Sequence, residues 1–367
     1  MSESRIAFFL PNLSGGGAQR VAINLAIEFL RLGYQVDFVL ARTEGELLRD
    51  LPMQINLVEL KVSRVLFAIH GLAKYLRTSK PHAIIAAPNH THQAVLFTKI
   101  VWRIDTRIIL RIGNHVSTVR ENSTKIQEKI YPFIIWLFQS FVDRFIAVSQ
   151  SVADDLTKEI KISPERITVI YNPVLRDEIN LRKNSNLEHP WFNDKSKPVI
   201  LAVGRLVTQK DYPTLLHAFA IVRKHRSAKL VILGDGPLLG KLQELVDGLG
   251  IQNDVAFLGF DINPYRYMSR CKVFVLASAW EGFPNVLAEA LACGSQAVAT
   301  DCPGGSAEIL TGGKFGFLCP VGDPTALAET IIQAIDKPLP VEKIKKRALE
   351  FSATASAAHY LKAMGLL

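Results

Sequence analysis

The sequence has few cysteines and no apolar run long enough to span a membrane. Its four cysteines lie far apart in the second half, with no Cys-x-x-Cys pair and no neighbouring pair of histidines. This spacing is unlike that of zinc sites and predicts reduced, structural thiols. The longest apolar stretch, residues 130–138, contains a proline and reaches about half of the ~20 residues that a spanning helix needs. The first residues also lack the features of a secretory signal, so we expect a cytoplasmic protein.

A stripe of basic residues is also missing, although the chain is basic overall. Its 367 residues carry a formal net charge of +9, which favours anionic partners such as sugar-nucleotide phosphates, an acidic membrane surface or nucleic acid. The basic residues are scattered, and no zinc-finger, aromatic RNA-binding or basic-zipper motif occurs. We therefore expect no nucleic-acid partner. The charge alone does not distinguish between sugar-nucleotide phosphates and an acidic membrane surface as the partner.

Short β-branched runs alternate with segments of helical length throughout the chain. This pattern predicts an α/β fold, with parallel sheets covered by helices on both faces. A break at Asn172-Pro173 and a polar stretch at 181–197 separate two such series. We predict two Rossmann-like domains, residues 1–178 and 179–351, with a C-terminal helix at about 352–367 that packs back on the first domain. The predicted strands are Ile6–Leu10, Gln35–Leu40, Ala83–Ala87, Arg107–Ile112, Arg144–Val148, Val199–Val203, Ala228–Leu233, Val255–Leu258, Val273–Leu276 and Ala297–Thr300.

A glycine-rich loop, Ser14 to Gly17, joins the first predicted strand to a helix predicted to begin near Ala18. The backbone N–H groups of such a loop and helix start can bind a phosphate; a tight turn that only packs helix against strand is the alternative. The dinucleotide fingerprint is not matched, because Arg20 stands where its last glycine belongs and Leu40-Ala41-Arg42 replaces its acidic residue. A nicotinamide or flavin enzyme is therefore disfavoured.

Further loops follow predicted strands of the second series. Arg205 and Lys210, five residues apart, could together clamp a diphosphate, because ligands of such folds collect at the carboxyl ends of strands. Taken alone, this pair is more often an ordinary solvated loop. Gly234-Asp235-Gly236-Pro237 forms a turn after another strand, and a nucleotide base could lie against the backbone at Phe260 after the next one. A purely structural role is the alternative for both.

The segment from Glu281 to Gly294 has the most specific pattern. Pro284 and Asn285 suit the start of a helix, so the N–H groups of the next residues should point at whatever the preceding loop binds. Glu281 precedes this helix and Glu289 lies within it. The two carboxylates are predicted to face different hydroxyl-rich parts of a ligand, such as a sugar ring and a ribose diol.

The Glu-x7-Glu element, the Arg205–Lys210 pair, the Gly234–Pro237 turn and the N-terminal glycine loop together resemble glycosyltransferase family 4, in order and over nearly the whole chain. The resemblance implies the GT-B fold, two Rossmann-like domains facing across a deep cleft. It also implies retaining transfer of a hexose or N-acetylhexosamine from a nucleotide sugar, most similar to UDP-linked members, to a glycan or lipid-linked acceptor in surface polysaccharide assembly. No cofactor or metal is expected, and the sequence has no Asp-x-Asp metal-binding motif.

The resemblance also implies roles for residues of the second domain. Arg205 and Lys210 would bind the diphosphate, and Glu289 would hold the ribose hydroxyls. Glu281 would hold the donor sugar at the reaction centre. Cations and helix N-termini that favour negative charge on the departing diphosphate would lower the barrier, as a metal does elsewhere. The remaining donor-binding positions are Phe260, Gly282, Phe283, Pro284, Asn285, Val286 and Leu287.

In the first domain, the resemblance implies that Gly16 and Gly17 complete the phosphate site. His115 occupies a place where the family often has a histidine near the donor sugar, which makes it the second candidate catalytic residue. His90 and His92 are rival loop histidines, and a structural role is the alternative for each of the three.

Acceptor recognition has the weakest signal in the sequence. The stretch from Lys125 to Phe145 is rich in aromatic side chains with cations nearby, and could dock on the inner face of a membrane or on a lipid-linked acceptor; an ordinary buried helix face is the alternative. Two other functions also remain open. One is a nucleotide-sugar epimerase or hydrolase of the same fold, and the other is a catalytically silent sugar-nucleotide-binding subunit.

Overall fold

The computed structural model describes residues 4–14, 16–175, 177–194 and 196–367. They form two compact units, unit 1 from Met1–Val174 with Ala353–Leu367 and unit 2 from Leu175–Ser352. The first division falls a few residues before the predicted boundary at 178, because the preceding segment is held in unit 1. Val174 is buried there, and the Asn24 side-chain amide donates to the Pro173 carbonyl at 2.6 Å.

Unit 1 is built on a seven-stranded parallel sheet with the strand order β3-β2-β1-β4-β5-β6-β7. Most strands are apolar runs buried on both faces, as expected of a parallel sheet covered by helices. The strands are β1 (Arg5–Leu10), β2 (Gln35–Leu40), β3 (Asn56–Glu59), β4 (Ala83–Ala86), β5 (Arg107–Ile112), β6 (Arg144–Ala147) and β7 (Ile167–Val169). The helices are α1 (Gly17–Arg31), α2 (Ile69–Ser79), α3 (Asn89–Trp102), α4 (Val116–Asn122), α5 (Ile126–Phe138) and α6 (Gln150–Ile160).

Unit 2 has a six-stranded parallel sheet with the order β10-β9-β8-β11-β12-β13. Its strands are β8 (Val199–Val203), β9 (Lys229–Leu233), β10 (Val255–Phe257), β11 (Val273–Leu276), β12 (Gln296–Thr300) and β13 (Phe317–Cys319). Its helices are α7 (Asp177–Arg182), α8 (Pro190–Asn193), α9 (Tyr212–His225), α10 (Leu239–Gly248), α11 (Tyr265–Met268), α12 (Asn285–Cys293), α13 (Ser306–Leu310), α14 (Pro324–Asp336) and α15 (Val341–Ala348). These two sheets confirm the predicted α/β fold with two Rossmann-like halves.

The last helix, α16 (Ala353–Met364), belongs to unit 1. It packs against α1, and its buried residues Ala357, Tyr360 and Met364 are part of the same apolar cluster as Phe8 and Phe29. A 3₁₀ turn at Leu349–Phe351 separates this helix from α15.

The strands missing from the sequence prediction are β3, β7 and β13. All three lie at the edge of a sheet and have three or four residues. β3 is largely exposed, so it lacks the continuous apolar run that identifies a central parallel strand. β10 is also a three-residue edge strand, and the sequence predicted it, so a short edge strand does not always lose its pattern.

The order of strands reverses at one point in each sheet, between β1 and β4 in unit 1 and between β8 and β11 in unit 2. Crossover connections leave the two neighbouring strands in opposite directions at such a point, which opens a crevice at the carboxyl ends. The glycine-rich loop follows β1, and the loops with Lys210 and Glu281 follow β8 and β11. Chain topology thus places the loops singled out in the sequence at these two positions.

Backbone contact between loops of unit 2 depends on Gly234. Its φ is +134°, and a Cβ added there would lie 2.1 Å from the Gly204 carbonyl oxygen. Its N–H also donates to the Gly259 carbonyl at 2.7 Å. The loops that follow β8, β9 and β10 therefore meet at a position that has no room for a side chain.

We predict that Gly234→Ala lowers the free energy of unfolding by about 3 kcal/mol, since the left-handed backbone and the displaced Gly204 carbonyl both oppose the new methyl group. Gly240→Ala in α10 is the matched control, because nothing lies within 4 Å of its added Cβ; it should be neutral or stabilising. Urea unfolding of both variants measures the effect. Equal stability of the two would show that the loops move apart without cost.

Candidate functional site

Two loops of unit 2 are joined at the carboxyl ends of β8 and β11. The Ala279 N–H donates to the Gln209 carbonyl at 2.8 Å, and the Gln209 side-chain amide donates to the Trp280 carbonyl at 2.9 Å. The first loop runs from the end of β8 to the cap of α9, and the second connects β11 to α12. Segments more than 70 residues apart in the sequence are thereby fastened at the point where the strand order reverses.

Lys210 and Glu281 form an ion pair between these loops. Lys210 Nζ lies 2.5 Å from Glu281 Oε1, and the side chains are only 15 % and 7 % exposed. The hydroxyl of Ser278 donates to the same carboxylate oxygen at 2.6 Å. A mostly buried carboxylate is stabilised by such a cation and hydroxyl donor. From the sequence, Lys210 and Glu281 were assigned to different groups of the ligand, but in the structure they contact each other. Ser278, which the sequence did not indicate, is a further member of this cluster.

Tyr212 extends this polar cluster under the first loop. Its hydroxyl donates to the Gly204 carbonyl at 2.9 Å. Burial, together with the negative charge of Glu281, raises the pKa of Tyr212 well above its usual range. The phenol therefore remains a neutral donor at any physiological pH and fixes the loop at Gly204.

Arg205 differs from Lys210 in its surroundings. Its side chain is exposed, and no described residue forms a hydrogen bond or ion pair with its guanidinium. The two cations of the loop are therefore in different states, one paired with a carboxylate and one directed to solvent. A planar guanidinium in this state can bind a phosphate through two parallel hydrogen bonds without first losing a protein partner.

The loop that follows β12 supports Glu281 from below. The Glu281 N–H donates to the Pro303 carbonyl at 2.9 Å, and the Gly305 N–H donates to the Gly282 carbonyl at 2.9 Å. A Cβ at Gly304 would lie 2.2 Å from the Glu281 carbonyl oxygen. This loop was not selected from the sequence, although Pro-Gly-Gly soon after the end of a strand is a recognisable turn pattern.

The predicted helix start after Glu281 is present. Pro284 is the N-cap of α12, which begins at Asn285. The Leu287 N–H donates to the Pro284 carbonyl at 3.0 Å, however, so it closes the first turn of the helix and does not point at the preceding loop as predicted. Phe283 is buried with its ring edge-on to Phe351, at 5.4 Å between centroids, which makes its side chain part of the support. Val286 is half-buried in the first turn of the helix.

Glu289 lies one turn into α12 and is half-buried. The Tyr265 hydroxyl of α11 is 3.5 Å from Glu289 Oε1, at the long end of hydrogen-bond distances. Glu281 and Glu289 thus contact different described side chains, Lys210 for the first and Tyr265 for the second.

The ring of Phe260 is exposed to solvent, whereas its N–H group is already hydrogen-bonded within the protein. The ring is 66 % exposed, while the N–H donates to Asp235 Oδ2 at 3.0 Å. The Asp235 carbonyl in turn accepts from the Leu206 N–H at 2.9 Å. An exposed aromatic ring at the end of a strand can stack against a nucleotide base, and Asp235 fixes its position.

In unit 1, the structure describes the glycine loop except for Gly15. Gly16 has a φ of +130° and is the N-cap of α1, and its carbonyl accepts from the Arg20 N–H at 3.2 Å. Gly17 is the first residue of the helix, one position earlier than predicted, and both glycines are exposed. The loop therefore presents backbone at a helix N-terminus, as a phosphate-binding loop does.

His115 is held inside unit 1 rather than on an open loop. It is 8 % exposed and is the N-cap residue of α4. Its Nε2 lies 2.8 Å from the Ser151 hydroxyl of α6, and its Nδ1 lies 3.9 Å from Asp155 Oδ1. Asp155 also accepts from the Val116 N–H at 2.5 Å. This carboxylate thus fixes the start of α4 close to the imidazole.

The rival histidines lie in the first turn of α3, not in a loop. His92 is fully buried, with Nδ1 2.8 Å from the Tyr131 hydroxyl and Nε2 3.1 Å from the Ala86 carbonyl. Burial lowers the pKa of His92 to about 3. This histidine is a neutral, structural group. His90 is exposed on the same helix.

Within the described residues, no three His, Cys, Asp or Glu side chains come close enough to hold a metal ion. The four cysteines form no disulfide, and burial raises the pKa of Cys302 to about 11, so this thiol stays protonated. None of the described helices is both long and apolar enough to cross a bilayer.

Two family models match the chain, one in each unit. The model described as Glycosyltransferase Family 4 matches residues 15–178, and the model described as Glycosyl transferases group 1 matches residues 185–351. The chain belongs to glycosyltransferase family 4. The second match contains every unit 2 residue discussed above as a candidate for donor binding, so the Lys210–Glu281 pair lies within the segment that defines these glycosyltransferases.

Relatives and solved structures extend this result. The glycosyltransferase is 29 % identical over 357 residues to the N-acetylgalactosamine-N,N'-diacetylbacillosaminyl-diphospho-undecaprenol 4-alpha-N-acetylgalactosaminyltransferase of Campylobacter jejuni, covering 93 % of this chain and 92 % of that protein. It is 25 % identical over 299 residues to the amylovoran biosynthesis glycosyltransferase AmsD of Erwinia amylovora, covering 81 % and 80 %. The structure of Anabaena Alr3699/HepE in complex with UDP-glucose matches with a TM-score of 0.82 at 21 % identity, over 99 % of this chain and 100 % of that one. This likeness confirms the GT-B fold.

We predict that Lys210→Ala lowers the free energy of unfolding of the glycosyltransferase by about 2 kcal/mol, because it leaves the Glu281 carboxylate mostly buried without its cation. Arg205→Ala, five residues earlier in the same loop, is the matched control and should change stability by less than about 0.5 kcal/mol. Urea unfolding measures both. A neutral Lys210→Ala variant would show that the ion pair adds nothing to the stability of the loops.

The buried histidine generates a pH prediction. Because the folded-state pKa of His92 is lowered to about 3, its contribution to stability is complete above the unfolded-state pKa of about 6.5 and is lost as pH falls from there towards 3. His92→Phe should flatten the decline in unfolding free energy between about pH 6.5 and 4. The exposed His225 is the control, and His225→Phe should leave the decline unchanged. An identical pH profile for wild type and His92→Phe would exclude His92 as its source.

Proposed function

We propose that this glycosyltransferase transfers a hexose or N-acetylhexosamine from a UDP-sugar to a lipid-linked or growing glycan acceptor in surface polysaccharide assembly, with retention of anomeric configuration and without a metal. The observation that carries the proposal is the arrangement at the carboxyl ends of β8 and β11, where an exposed Arg205, the Lys210–Glu281 pair and the N-terminus of α12 lie on bonded loops. These are the groups that a sugar diphosphate needs.

The positive charges of Arg205 and Lys210 favour the departure of a diphosphate leaving group. In the proposed reaction, an acceptor hydroxyl oxygen forms the new bond to the anomeric carbon while the bond from that carbon to the diphosphate oxygen breaks. The bonding electron pair leaves with the diphosphate, which also accepts the proton of the acceptor hydroxyl. Arg205 and Lys210 stabilise the charge that develops there, and they do so more strongly in the transition state than in the bound donor.

Glu281 is the proposed partner of the donor sugar, and its release from Lys210 accompanies donor binding. A phosphate competes with the Glu281 carboxylate for the Lys210 ammonium group. When Lys210 turns to the phosphate, Glu281 is left with the Ser278 hydroxyl as its donor, and sugar hydroxyls replace the lost hydrogen bond. Glu289 is the proposed acceptor for the ribose hydroxyls, and the ring of Phe260 is the proposed contact for the base.

The relatives support the choice of donor and acceptor. The Campylobacter jejuni relative is named as an N-acetylgalactosaminyltransferase that acts on a diphospho-undecaprenol-linked sugar, and the Anabaena structure contains UDP-glucose. For unit 1, we propose separately that Gly16 and Gly17 contact a phosphate and that His115 is a catalytic residue. Asp155 would then act as the residue that orients the His115 imidazole.

Ligand-induced stabilisation tests the donor site without an acceptor. We expect UDP to raise the melting temperature by several degrees at saturation, with GDP, ADP and dTDP weaker and EDTA without effect. Arg205→Ala should lose most of this increase, whereas Lys241→Ala, which removes an exposed cation of α10, should keep it. No stabilisation by any of the four nucleotides would argue against the site and favour a protein without transferase activity.

Product analysis tests the reaction itself. NMR of the product should show the anomeric configuration of the donor, and the rate should be the same in EDTA. Glu281→Gln should reduce kcat/KM by about two orders of magnitude, because the amide still accepts hydrogen bonds but carries no charge. Consumption of UDP-sugar in the absence of any acceptor would instead indicate a hydrolase or an epimerase, and an inverted product would contradict the proposed stereochemistry.

A further inference from the structure

The solvent side of α5 in unit 1 is apolar. Ile126, Ile130, Phe133 and Leu137 follow one another at spacings of four, three and four residues, so they form one stripe along the helix. Their exposed fractions are 74, 46, 62 and 51 %. Contiguous apolar side chains on the surface of a folded chain indicate a site of interaction, because burying them against a partner is favourable.

This stripe is not the side by which α5 packs on unit 1. Tyr131 and Ile135 are buried on the opposite side of the helix, about half a turn away at 3.6 residues per turn. Phe138 packs edge-on against Phe97 of α3, with 5.7 Å between the ring centroids. The helix is therefore apolar on two sides, and one of them already holds it in the fold. Packing within unit 1 leaves the other side uncovered.

Further exposed apolar side chains lie on α5 and on two elements next to it. The rings of Phe133 and Trp136 are 5.8 Å apart, and Trp136 is half exposed. Helix α3 contacts both α5 and the 3₁₀ turn Gln139–Phe141, and Val101 lies one turn after Phe97 on α3, exposed at 64 %. We call the set of these side chains the α5 surface. Its members are Val101, Ile126, Ile130, Phe133, Trp136, Leu137 and Phe141.

The exposed charges of α5 and of the residue before it are positive, whereas Glu121 of α4 and Asp105 after α3 are exposed carboxylates nearby. Lys125 and Lys129 are exposed at the N-terminal end of α5, and Arg103 is exposed just after Val101. The helical period places Lys129 beside the stripe, on the same side as Trp136. Glu128, the acidic residue of α5, is half-buried and lies towards the packed side.

We propose that the α5 surface docks on an anionic lipid bilayer. The aliphatic and aromatic side chains would enter the interfacial region, and Lys125, Lys129 and Arg103 would lie at the level of the phosphate headgroups. The positive charges favour a membrane over a second copy of the chain as the partner. A symmetric contact between two α5 surfaces would bring the same cations together, whereas an anionic membrane complements both the apolar stripe and the charges.

Vesicle flotation of the full chain tests the proposal without a sugar donor or acceptor, so its outcome is independent of the proposed function. The probes are vesicles of phosphatidylcholine alone and vesicles with about one third phosphatidylglycerol. We expect flotation with the anionic vesicles, little with the neutral ones, and a decrease at high salt. Phe133→Ser with Trp136→Ser should reduce the bound fraction roughly tenfold or more, and Lys125→Glu with Lys129→Glu should do the same.

Met53→Ser is the matched control, since Met53 is a fully exposed apolar side chain of unit 1 outside the α5 surface; it should float like the wild type. Circular dichroism melting verifies that each variant is folded. Unchanged flotation of either double variant, equal binding to neutral vesicles, or no binding of the wild type would overturn the proposal. It would also be overturned if light scattering showed a dimer that Phe133→Ser with Trp136→Ser converts to a monomer, because the occupant would then be a second copy.

Discussion

The ion pair between Lys210 and Glu281 is the contact on which the candidate site of unit 2 depends. The strand order reverses between β8 and β11, so the helices that follow these strands lie on opposite faces of the sheet and the two loops have no crossover in common. The charge pair and the two hydrogen bonds of Gln209 join them. Because a mostly buried carboxylate is costly without a cation, the glutamate that the proposed chemistry requires also ties together the loops that form its site.

Most of the other contacts that form this candidate site are made by backbone groups and not by side chains. Gly234 and Gly304 allow neighbouring loops to approach within distances that any Cβ would prevent, and carbonyl and N–H groups then satisfy one another directly. These backbone contacts restrict the loops in addition to the side-chain contacts of Lys210 and Gln209. Under the proposed function, they leave Arg205, Glu281, Glu289 and Phe260 as the main side chains for a ligand to contact.

The sequence predicted the central strands and the order of the loops, because buried parallel strands are continuous apolar runs and turn residues separate them. It did not predict β3, β7 and β13, which are three- or four-residue strands without a continuous buried apolar run. For the candidate site, residue types near strand ends pointed to Arg205, Lys210 and Glu281, and the resemblance to the family implied their roles. The pairing of Lys210 with Glu281 and the support from Gly304 depend on contacts between distant segments, which no local pattern contains.

The different states of Arg205 and Lys210 have a consequence for recognition under the proposed function. Arg205 can bind a phosphate at once, whereas Lys210 must first leave Glu281. That exchange uncovers a mostly buried carboxylate, and only a ligand that supplies hydroxyl donors to Glu281 can compensate for it. A nucleoside diphosphate without its sugar satisfies the cations and leaves Glu281 without a new partner. The ion pair therefore favours the complete nucleotide sugar over the product that remains after transfer, which assists release of that product at the end of each cycle.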